Sequence, residues 1–306
     1  MDKIYDVIIL GSGPAGLTAA IYSSRASRET LLIGGVKYGG QLMLTMDVEN
    51  YPGFPDGVLG PQLMEKMIAQ AKKFGAEFLK DDATQVDFKK IPFDVEVSGN
   101  KYLANSVIIA TGALPKMLRV PGEEKLIGRG VSTCAPCDAP FFKDKVGVVV
   151  GGGDSAMEEA LYLSKFARKV MVVHRRDKLR ASKIMQERAF KNPKISFIWN
   201  SVVEEILGEE KVKGAKIKNL KTEKREEIFC DAVFIAIGHL PNTEIFKGQV
   251  ELDENGYMLV QNHTQTNLPG VFVAGDVHDH TYRQVATAVG YGCQAAMDAE
   301  KYLETS

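Results

Sequence analysis

The chain has 306 residues, of which 45% are hydrophobic and 25% charged, the balance of an ordinary globular protein of about two domains. Its net charge of -1 gives no electrostatic case for binding nucleic acid or an anionic membrane. No apolar run is long enough to span a membrane and no signal-peptide pattern precedes the first predicted strand, so the expected location is cytoplasmic.

The first predicted elements are a strand, a glycine turn, a helix and a second strand. The apolar run from Ile4 to Leu10 is followed by Gly11-Ser12-Gly13-Pro14-Ala15-Gly16 and an alanine-rich helical stretch through Ser27. Leu31-Leu32-Ile33 predicts the next strand. This order and length suit a βαβ unit of a parallel sheet.

The same pattern returns in the middle of the chain. Val146–Val150 precedes Gly151-Gly152-Gly153-Asp154-Ser155-Ala156, then come a helical stretch to about Phe166 and the strand Val170–Val173. The two modules also end alike, because Val107–Gly112 and Val233–Gly238 are apolar runs closed by Ala-x-Gly. We therefore interpret the chain as two related modules.

The predicted fold is α/β, with two Rossmann-like dinucleotide-binding domains of three-layer type, one inserted into the other. After the second module the chain returns through the buried strand of Gly270–Asp276 and a helix from Gln284 to about Tyr302. The predicted outer domain is therefore 1–113 with 244–306, and the inserted domain is 114–243. The charged stretch Glu204–Glu227 predicts a solvated hairpin.

The two glycine turns are candidate dinucleotide sites. Glycines allow a tight turn and close approach to a pyrophosphate, a small third residue lets the helix pack on the strand, and the helix N-terminus supplies amide donors. One such match is weak, but two in parallel context are much stronger.

The second module carries His174-Arg175-Arg176 where an NAD site would carry an acid, and Arg180 follows. Arginines at this place suit the extra phosphate of NADP, although a solvated basic loop is the alternative. The first module has neither arginines nor the usual acid at Gly34-Gly35-Val36-Lys37. That leaves FAD as its predicted ligand, held by further loops such as Gly39–Leu42 and Gly275-Asp276.

Cys134 and Cys137 form a Cys-x-x-Cys pair between the two fingerprints. The spacing allows a redox disulfide and can lower one thiol's pKa, with Pro136 stiffening the turn. A zinc site would need two more ligands, and Cys230 and Cys293 are distant and solitary, so each is interpreted as a small buried hydrophobe. Asp138 follows directly, and its carboxyl could move protons or merely cap the next turn.

With these residues in place, the chain resembles the low-molecular-weight, flavin-dependent thioredoxin reductases over essentially its full length. The resemblance rests on both glycine motifs, Gly39-Gly40-Gln41-Leu42, Val48-Glu49-Asn50-Tyr51-Pro52-Gly53, Cys134-Ala135-Pro136-Cys137-Asp138, His174-Arg175-Arg176-Asp177, and Ala274-Gly275-Asp276 with Tyr282-Arg283-Gln284. It implies FAD in the outer domain, NADPH and the dithiol in the inserted domain, and a homodimer.

The resemblance also implies roles for individual residues. Cys137 would face the flavin, Cys134 would attack the partner disulfide, and Asp138 would exchange protons. The implied FAD contacts are Gly11, Ser12, Gly13, Pro14, Ala15, Gly16, Gly34, Gly35, Gly39, Gly40, Gln41, Leu42, Asn50, Ala110, Thr111, Gly112, Gly275, Asp276, Arg283, Gln284 and Val285. The implied NADPH contacts are Gly151, Gly153, Asp154, Ser155, Ala156, His174, Arg175, Arg176 and Arg180. The implied thioredoxin-docking residues are Arg129, Phe141 and Phe142.

The predicted activity is electron transfer from NADPH through FAD and the dithiol to the disulfide of thioredoxin. Because nicotinamide and dithiol share one domain yet both must reach one flavin, the connections near Ala113 and Thr243 are predicted to act as a hinge. Three alternatives stay open at this point: a glutaredoxin-like acceptor, a ferredoxin–NADP reductase-like enzyme, and a redox-sensing module without turnover.

Overall fold

The computed structural model describes residues 3–45 and 47–305, and the chain forms two compact units. The outer unit combines Met1–Leu114 with Leu240–Ser306, and the inserted unit is Pro115–His239. The division after Leu114 lies one residue beyond the boundary expected from sequence, and the return at Leu240 lies four residues before it.

The elements follow in chain order. The outer unit begins with β1 Ile4–Leu10, α1 Pro14–Arg25, β2 Thr30–Ile33, β3 Asp47–Val48, β4 Val58–Leu59, α2 Gly60–Lys73, β5 Glu77–Leu79, β6 Ala83–Asp87, β7 Phe93–Val97, β8 Asn100–Ile109 and β9 Ala113–Pro115. The inserted unit contains β10 Val131–Ser132, α3 Ala135–Asp138, β11 Val146–Gly151, α4 Asp154–Leu163, β12 Lys169–His174, α5 Lys183–Lys191, β13 Ile195–Trp199, β14 Ser201–Leu207, β15 Gly214–Asn219, β16 Arg225–Phe229 and β17 Ala232–Ala236. The chain ends with β18 His239–Pro241, which pairs with β9, then β19 Val271–Val273 and α6 Val285–Thr305. Short 3₁₀ turns cover Gly40–Leu44, Glu124–Leu126, Ala139–Phe142 and Glu244–Phe246.

In the described part of the outer unit, one sheet has seven strands. Its parallel half runs β5-β2-β1-β8, and β7 and β6 continue it in antiparallel order. The last residues of β8 also pair with β19 in parallel. β1 is a continuous apolar run because both faces of a central parallel strand are covered. The carboxyl ends of β1, β2, β8 and β19 therefore meet at one edge.

Small residues let α1 and α6 approach each other closely on one face of this sheet. A Cβ at Gly292 would lie 2.2 Å from the carbonyl oxygen of Ala15, so only glycine fits there. Ala19, Ala295 and Ala299 are fully or almost fully buried in the same core. This packing fixes α1, whose N-terminus follows the first glycine turn.

The inserted unit contains an all-parallel sheet of order β10-β17-β11-β12-β13 in its described residues. α4 packs on it through Ala156, Met157, Ala160 and Leu163, which are all fully buried. The predicted helix to Phe166 ends at Leu163, and the predicted strands here begin or end within about one residue of their places.

The stretch predicted as a solvated hairpin forms antiparallel strands of a three-stranded sheet, β14-β15-β16. Its charged residues alternate with Val203, Ile206, Ala215 and Ile217, which are buried against the main sheet of the unit. The hairpin was thus predicted but the burial of one of its faces was not, because the many lysines and glutamates masked a period-two apolar pattern. Among the described residues, no helix combines the length and apolar character that a membrane crossing requires.

Candidate redox and dinucleotide sites

The first glycine turn joins β1 to α1 with very little room on one side. Gly11 has a φ of +107°, and a Cβ there would lie 2.3 Å from the carbonyl oxygen of Ala110. A Cβ at Gly16 would lie 1.8 Å from the Gly11 carbonyl oxygen, so helix and turn also touch. Gly13, the N-cap of α1, has no heavy atom within 4 Å of its Cβ position. The turn is thus packed against backbone at Gly11 and Gly16. At Gly13 it leaves open space beside the positive end of the helix, as a pyrophosphate requires.

The loop after β2 packs directly on this turn. The Ser12 hydroxyl donates to the carbonyl oxygen of Gly34 at 2.6 Å and accepts from the Gly39 N–H at 2.9 Å. A Cβ at Gly40 would lie 3.2 Å from the Gly13 Cα. The predicted FAD residues of loop 34–42 therefore lie beside the fingerprint.

The other predicted FAD residues reach the same edge of the sheet. A Cβ at Gly275 would lie 2.9 Å from the Ala15 Cβ, which places the loop after β19 against α1. The Asn50 amide donates to the Gln284 side-chain oxygen at 3.2 Å, just before α6 begins. Tight turns and long-range hydrogen bonds thus bring together segments that lie far apart in the sequence.

Asp276 supplies a desolvated carboxyl group at this edge. Burial, reinforced by the negative charge of Asp279 and opposed by Arg283, raises the pKa of Asp276 to about 7. His278, two residues further on, is partly buried with its ring centroid 4.4 Å from that of Tyr291, and burial lowers its pKa to about 4. One side-chain oxygen of Asp279 and Nε2 of His278 are buried without a hydrogen-bond partner among the described residues. The loop therefore holds polar groups that a bound hydroxyl-rich molecule could satisfy.

The second glycine turn repeats the first. A Cβ at Gly151 would lie 2.3 Å from the Ala236 carbonyl oxygen and 2.7 Å from the Ala156 Cβ, so the small third fingerprint residue is needed. Gly153 is the N-cap of α4 and has open space around its Cβ position. This N-terminus offers the same kind of anion site as that of α1.

The loop carrying the arginines is fastened to this second turn. The carbonyl oxygen of Gly152 accepts from the N–H groups of Arg180 and Ala181 at 2.7 and 3.1 Å. The Asp154 carboxylate accepts from the backbone N–H and the hydroxyl of Ser182 at 2.9 and 2.7 Å, which lowers the pKa of Asp154. These four bonds hold the loop next to the helix N-terminus.

The predicted phosphate-binding side chains differ in exposure. Arg175, Arg176 and Arg180 are exposed, and no ion pair engages them within the described part of the chain. His174 is 5% exposed, its ring packs against Gly152, and its Nε2 lies 3.0 Å from the Lys178 carbonyl oxygen. Burial lowers the pKa of His174, so this ring supports the loop as a neutral group.

Cys134 and Cys137 form a disulfide, with Cα atoms 5.3 Å apart. Cys134 is the N-cap of α3, and its carbonyl oxygen accepts from the N–H groups of Cys137 and Asp138 at 3.2 and 3.1 Å. The Cys134 N–H donates to the Ser132 hydroxyl at 3.0 Å. The short turn thus holds both sulfurs within bonding distance.

Asp138 ends the same turn in a partly buried position. Burial raises the pKa of Asp138 above its ordinary value, and a hydrogen bond with the Ser132 side chain opposes the rise. A carboxyl with a raised pKa holds its proton closer to neutral pH, which suits a group that exchanges protons with thiols.

The remaining cysteines lie apart from the disulfide. Cys230 is fully buried, as predicted, and burial raises its pKa to about 12. Cys293 is only partly buried, which corrects its prediction as a core residue. It lies on α6 beside the Tyr22 hydroxyl of α1, and its sulfur is 3.9 Å from that of Met297.

The sequence reasoning missed Glu159. Its carboxylate accepts from the Ala135 N–H at 2.5 Å, directly beside the disulfide. A signal was present, since Glu159 lies three residues after Ala156 and four before Leu163, both on the buried face of α4. An acid at a core-facing helical position needs a donor, and the dithiol turn supplies it.

Comparison with known proteins agrees with this arrangement. A family model described as pyridine nucleotide-disulphide oxidoreductase matches residues 5–292. The chain belongs to this family. A thioredoxin reductase of Streptomyces clavuligerus is 55% identical to it over 306 residues, which cover 99% of this chain and 95% of the relative. One from Peptoclostridium acidaminophilum is 49% identical, over 100% of this chain and 99% of the relative.

Solved structures lead to the same group of proteins. The thioredoxin reductase of Streptococcus pyogenes has a TM-score of 0.95 and 45% identity, with each chain covered over 100% of its length. That of Giardia duodenalis also has a TM-score of 0.95, with 43% identity, over 99% of this chain and 100% of the other. The predicted fold, two Rossmann-type domains, and the predicted resemblance are both confirmed.

Members of this family use FAD and NADPH. The residues present fit both groups on structural grounds of their own. Gly13 and Gly153 leave open space at two helix N-termini, and Asp276 offers a desolvated carboxyl group at the first. The chain is thus an oxidoreductase of the pyridine nucleotide-disulphide family with a disulfide between Cys134 and Cys137.

Proposed function

We propose that the enzyme reduces the disulfide of thioredoxin with electrons from NADPH. The observation that carries the proposal is the Cys134–Cys137 disulfide, which belongs to the same unit as the arginine loop. The outer unit, with its boundaries near 113 and 244, is proposed as the FAD domain. The inserted unit is proposed to bind NADPH and to carry the dithiol.

For FAD, we propose the residues that converge at the carboxyl edge of the outer sheet. The N-terminus of α1 would hold the pyrophosphate, and Asp276 would accept a hydrogen bond from a hydroxyl group. For NADPH, the N-terminus of α4 would hold the pyrophosphate, with Arg175, Arg176 and Arg180 on the 2′-phosphate. When bound, the two cofactors supply the two electrons that open the Cys134–Cys137 disulfide.

The chain's own cysteines then carry out thiol–disulfide exchange. The Cys134 thiolate attacks one sulfur of the partner disulfide, and the other partner sulfur leaves as a thiolate. The Cys137 thiolate next attacks Cys134 Sγ, which releases the partner's second thiolate and restores the Cys134–Cys137 disulfide. Asp138, with its raised pKa, would take a proton from Cys137 and return it.

We propose that thioredoxin docks beside the turn that carries the disulfide. Phe141 is 40% exposed three residues beyond the end of α3. Phe142 packs inward, its ring 5.8 Å from that of Phe234, and anchors the segment. Arg129 is exposed just before β10, the strand that leads to Cys134. Exposed aromatic rings and arginine side chains are typical anchors for a protein partner.

We also propose that the enzyme is a homodimer, as the family resemblance implies. The outer face of α1 and α6 supports this proposal, since Tyr22 is 40% and Met297 57% exposed. Light scattering on the purified protein tests it: the mass should be twice 33.5 kDa, and Met297→Glu should lower it. A cytoplasmic location remains our proposal, since the dithiol chemistry needs a reducing compartment.

The trapping of a mixed disulfide tests the proposed exchange. In Cys137→Ser, Cys134 can attack thioredoxin but nothing resolves the product, so a covalent complex should accumulate and disappear with dithiothreitol. In Cys134→Ser, no complex should form. The proposal fails if Cys134→Ser traps thioredoxin equally well. If only a glutaredoxin-like protein is trapped, the chemistry stands and the acceptor changes.

A further inference from the structure

The N–H groups of the turn that carries the disulfide already have acceptors in the structure. Cysteines at helix N-termini usually have lowered thiol pKa values because the first N–H groups point at the sulfur. Here the Cys137 and Asp138 N–H groups already donate to the Cys134 carbonyl oxygen, at 3.2 and 3.1 Å. Pro136 has no N–H at all. Ala135 therefore carries the remaining donor of this turn.

Glu159 takes that donor. Its carboxylate oxygen lies 2.5 Å from the Ala135 nitrogen, a short bond from a backbone group to an anionic acceptor. Glu159 is fixed on α4 between Ala156 and Leu163, both fully buried, so the carboxylate cannot easily leave. A negative charge thus lies on the peptide that joins Ala135 to Cys134.

This charge opposes a second negative charge on Cys134. A thiolate that is poorly stabilised binds its proton more tightly, attacks disulfides more strongly and makes its dithiol a better reductant. We propose that Glu159 is a positioning residue for the dithiol, and that its carboxylate beside Ala135 keeps the Cys134–Cys137 pair strongly reducing. The inference deepens the proposed function, on which it rests.

Glu159→Gln tests this proposal, because it keeps the shape and an oxygen acceptor but removes the charge. The fully assembled enzyme is equilibrated anaerobically with glutathione buffers, quenched by alkylation, and the peptide containing both cysteines is assayed by mass spectrometry. At equilibrium one dithiol and one oxidised glutathione give one disulfide and two reduced glutathiones. In the variant, the equilibrium constant for this reaction should fall about threefold to tenfold. The fall corresponds to a rise of about 15 to 30 mV in the reduction potential of the dithiol.

A second readout is the pH dependence of Cys134 alkylation in the reduced enzyme. The thiol pKa of Cys134 should fall in Glu159→Gln and should return towards the parent value in Glu159→Asp. Glu187→Gln is the matched control, because it removes an exposed carboxylate from α5 in the same unit, remote from the dithiol in sequence and 4.0 Å from the Lys191 ammonium group. It should change neither readout.

The proposal is overturned if Glu159→Gln leaves both the potential and the Cys134 pKa unchanged, whatever happens to its melting temperature. It is also overturned if Glu187→Gln produces the same shifts, since the effect would then come from the change in net charge and not from the position of Glu159. Neither readout uses thioredoxin. A failed trapping experiment with thioredoxin would therefore leave this result interpretable, and the reverse also holds.

Discussion

Replacing Asp276 by asparagine should change the pH dependence of stability in a defined direction. In the folded chain without FAD, burial raises the pKa of this carboxyl from 3.8 to about 7. Between those two pH values the folded state binds a proton that the unfolded state has lost. Stability therefore falls as pH rises through this window, and the full cost is present above about pH 7.

The size of the effect follows from the shift. At 1.36 kcal/mol per pKa unit, a shift of about three units corresponds to at most about 4 kcal/mol. His278 acts in the opposite direction, because its pKa is lowered to about 4 and its burial therefore costs stability only as pH falls. The parent protein should thus show a shallow net dependence from these two groups between about pH 4 and pH 6.5.

Urea unfolding of the FAD-free protein at a series of pH values measures the effect. The difference in unfolding free energy, Asp276→Asn minus parent, should be near zero at pH 4 and should rise by a few kcal/mol by pH 7.5. Far-ultraviolet circular dichroism follows both units, while fluorescence of Trp199, the single tryptophan, reports the inserted unit separately. Asp56→Asn, an exposed carboxylate of the outer unit, is the control and should give a flat difference. A flat difference for Asp276→Asn would refute the reasoning.

Three further substitutions test the proposed roles of individual residues. Asp138→Asn should lower kcat by about a hundredfold if its carboxyl moves protons, and unchanged turnover would remove that role. Arg175→Ala with Arg176→Ala should raise KM for NADPH about tenfold or more while KM for NADH barely changes; equal effects on both would contradict a 2′-phosphate site. Ser182→Ala, which removes the hydroxyl bond to the Asp154 carboxylate but keeps the backbone N–H bond, should weaken binding of 2′,5′-ADP about threefold by calorimetry without affecting 5′-AMP. If the affinities for both nucleotides fell equally, the Ser182–Asp154 hydrogen bond would stabilise the loop in general and not the 2′-phosphate site.

Local sequence patterns were enough to predict most of the fold. The two glycine turns are readable because Gly11 and Gly151 have backbone carbonyl oxygens 2.3 Å from their Cβ positions, a constraint that only glycine satisfies. The buried parallel strands are readable because a strand covered on both faces must be a continuous apolar run. The Cys-x-x-Cys spacing likewise forecast a pair that the structure joins as a disulfide.

Long-range contacts explain what the sequence could not provide. Glu159 reaches the Ala135 N–H across 24 residues, and no local pattern specifies that pairing. The antiparallel strands β6 and β7 were not predicted, since their short mixed sequences become strands when β7 pairs with β8 and β6 pairs with β7. His278 could be interpreted as part of a surface turn from its neighbours, yet α6 covers it through Tyr291.

The most direct test of the central claim is NADPH-dependent reduction of insulin, assayed with and without thioredoxin. We predict rapid NADPH oxidation only when thioredoxin is present, and complete loss of that rate in Cys134→Ser and in Cys137→Ser. Reduction at the same rate without thioredoxin, or in either cysteine variant, would contradict the account.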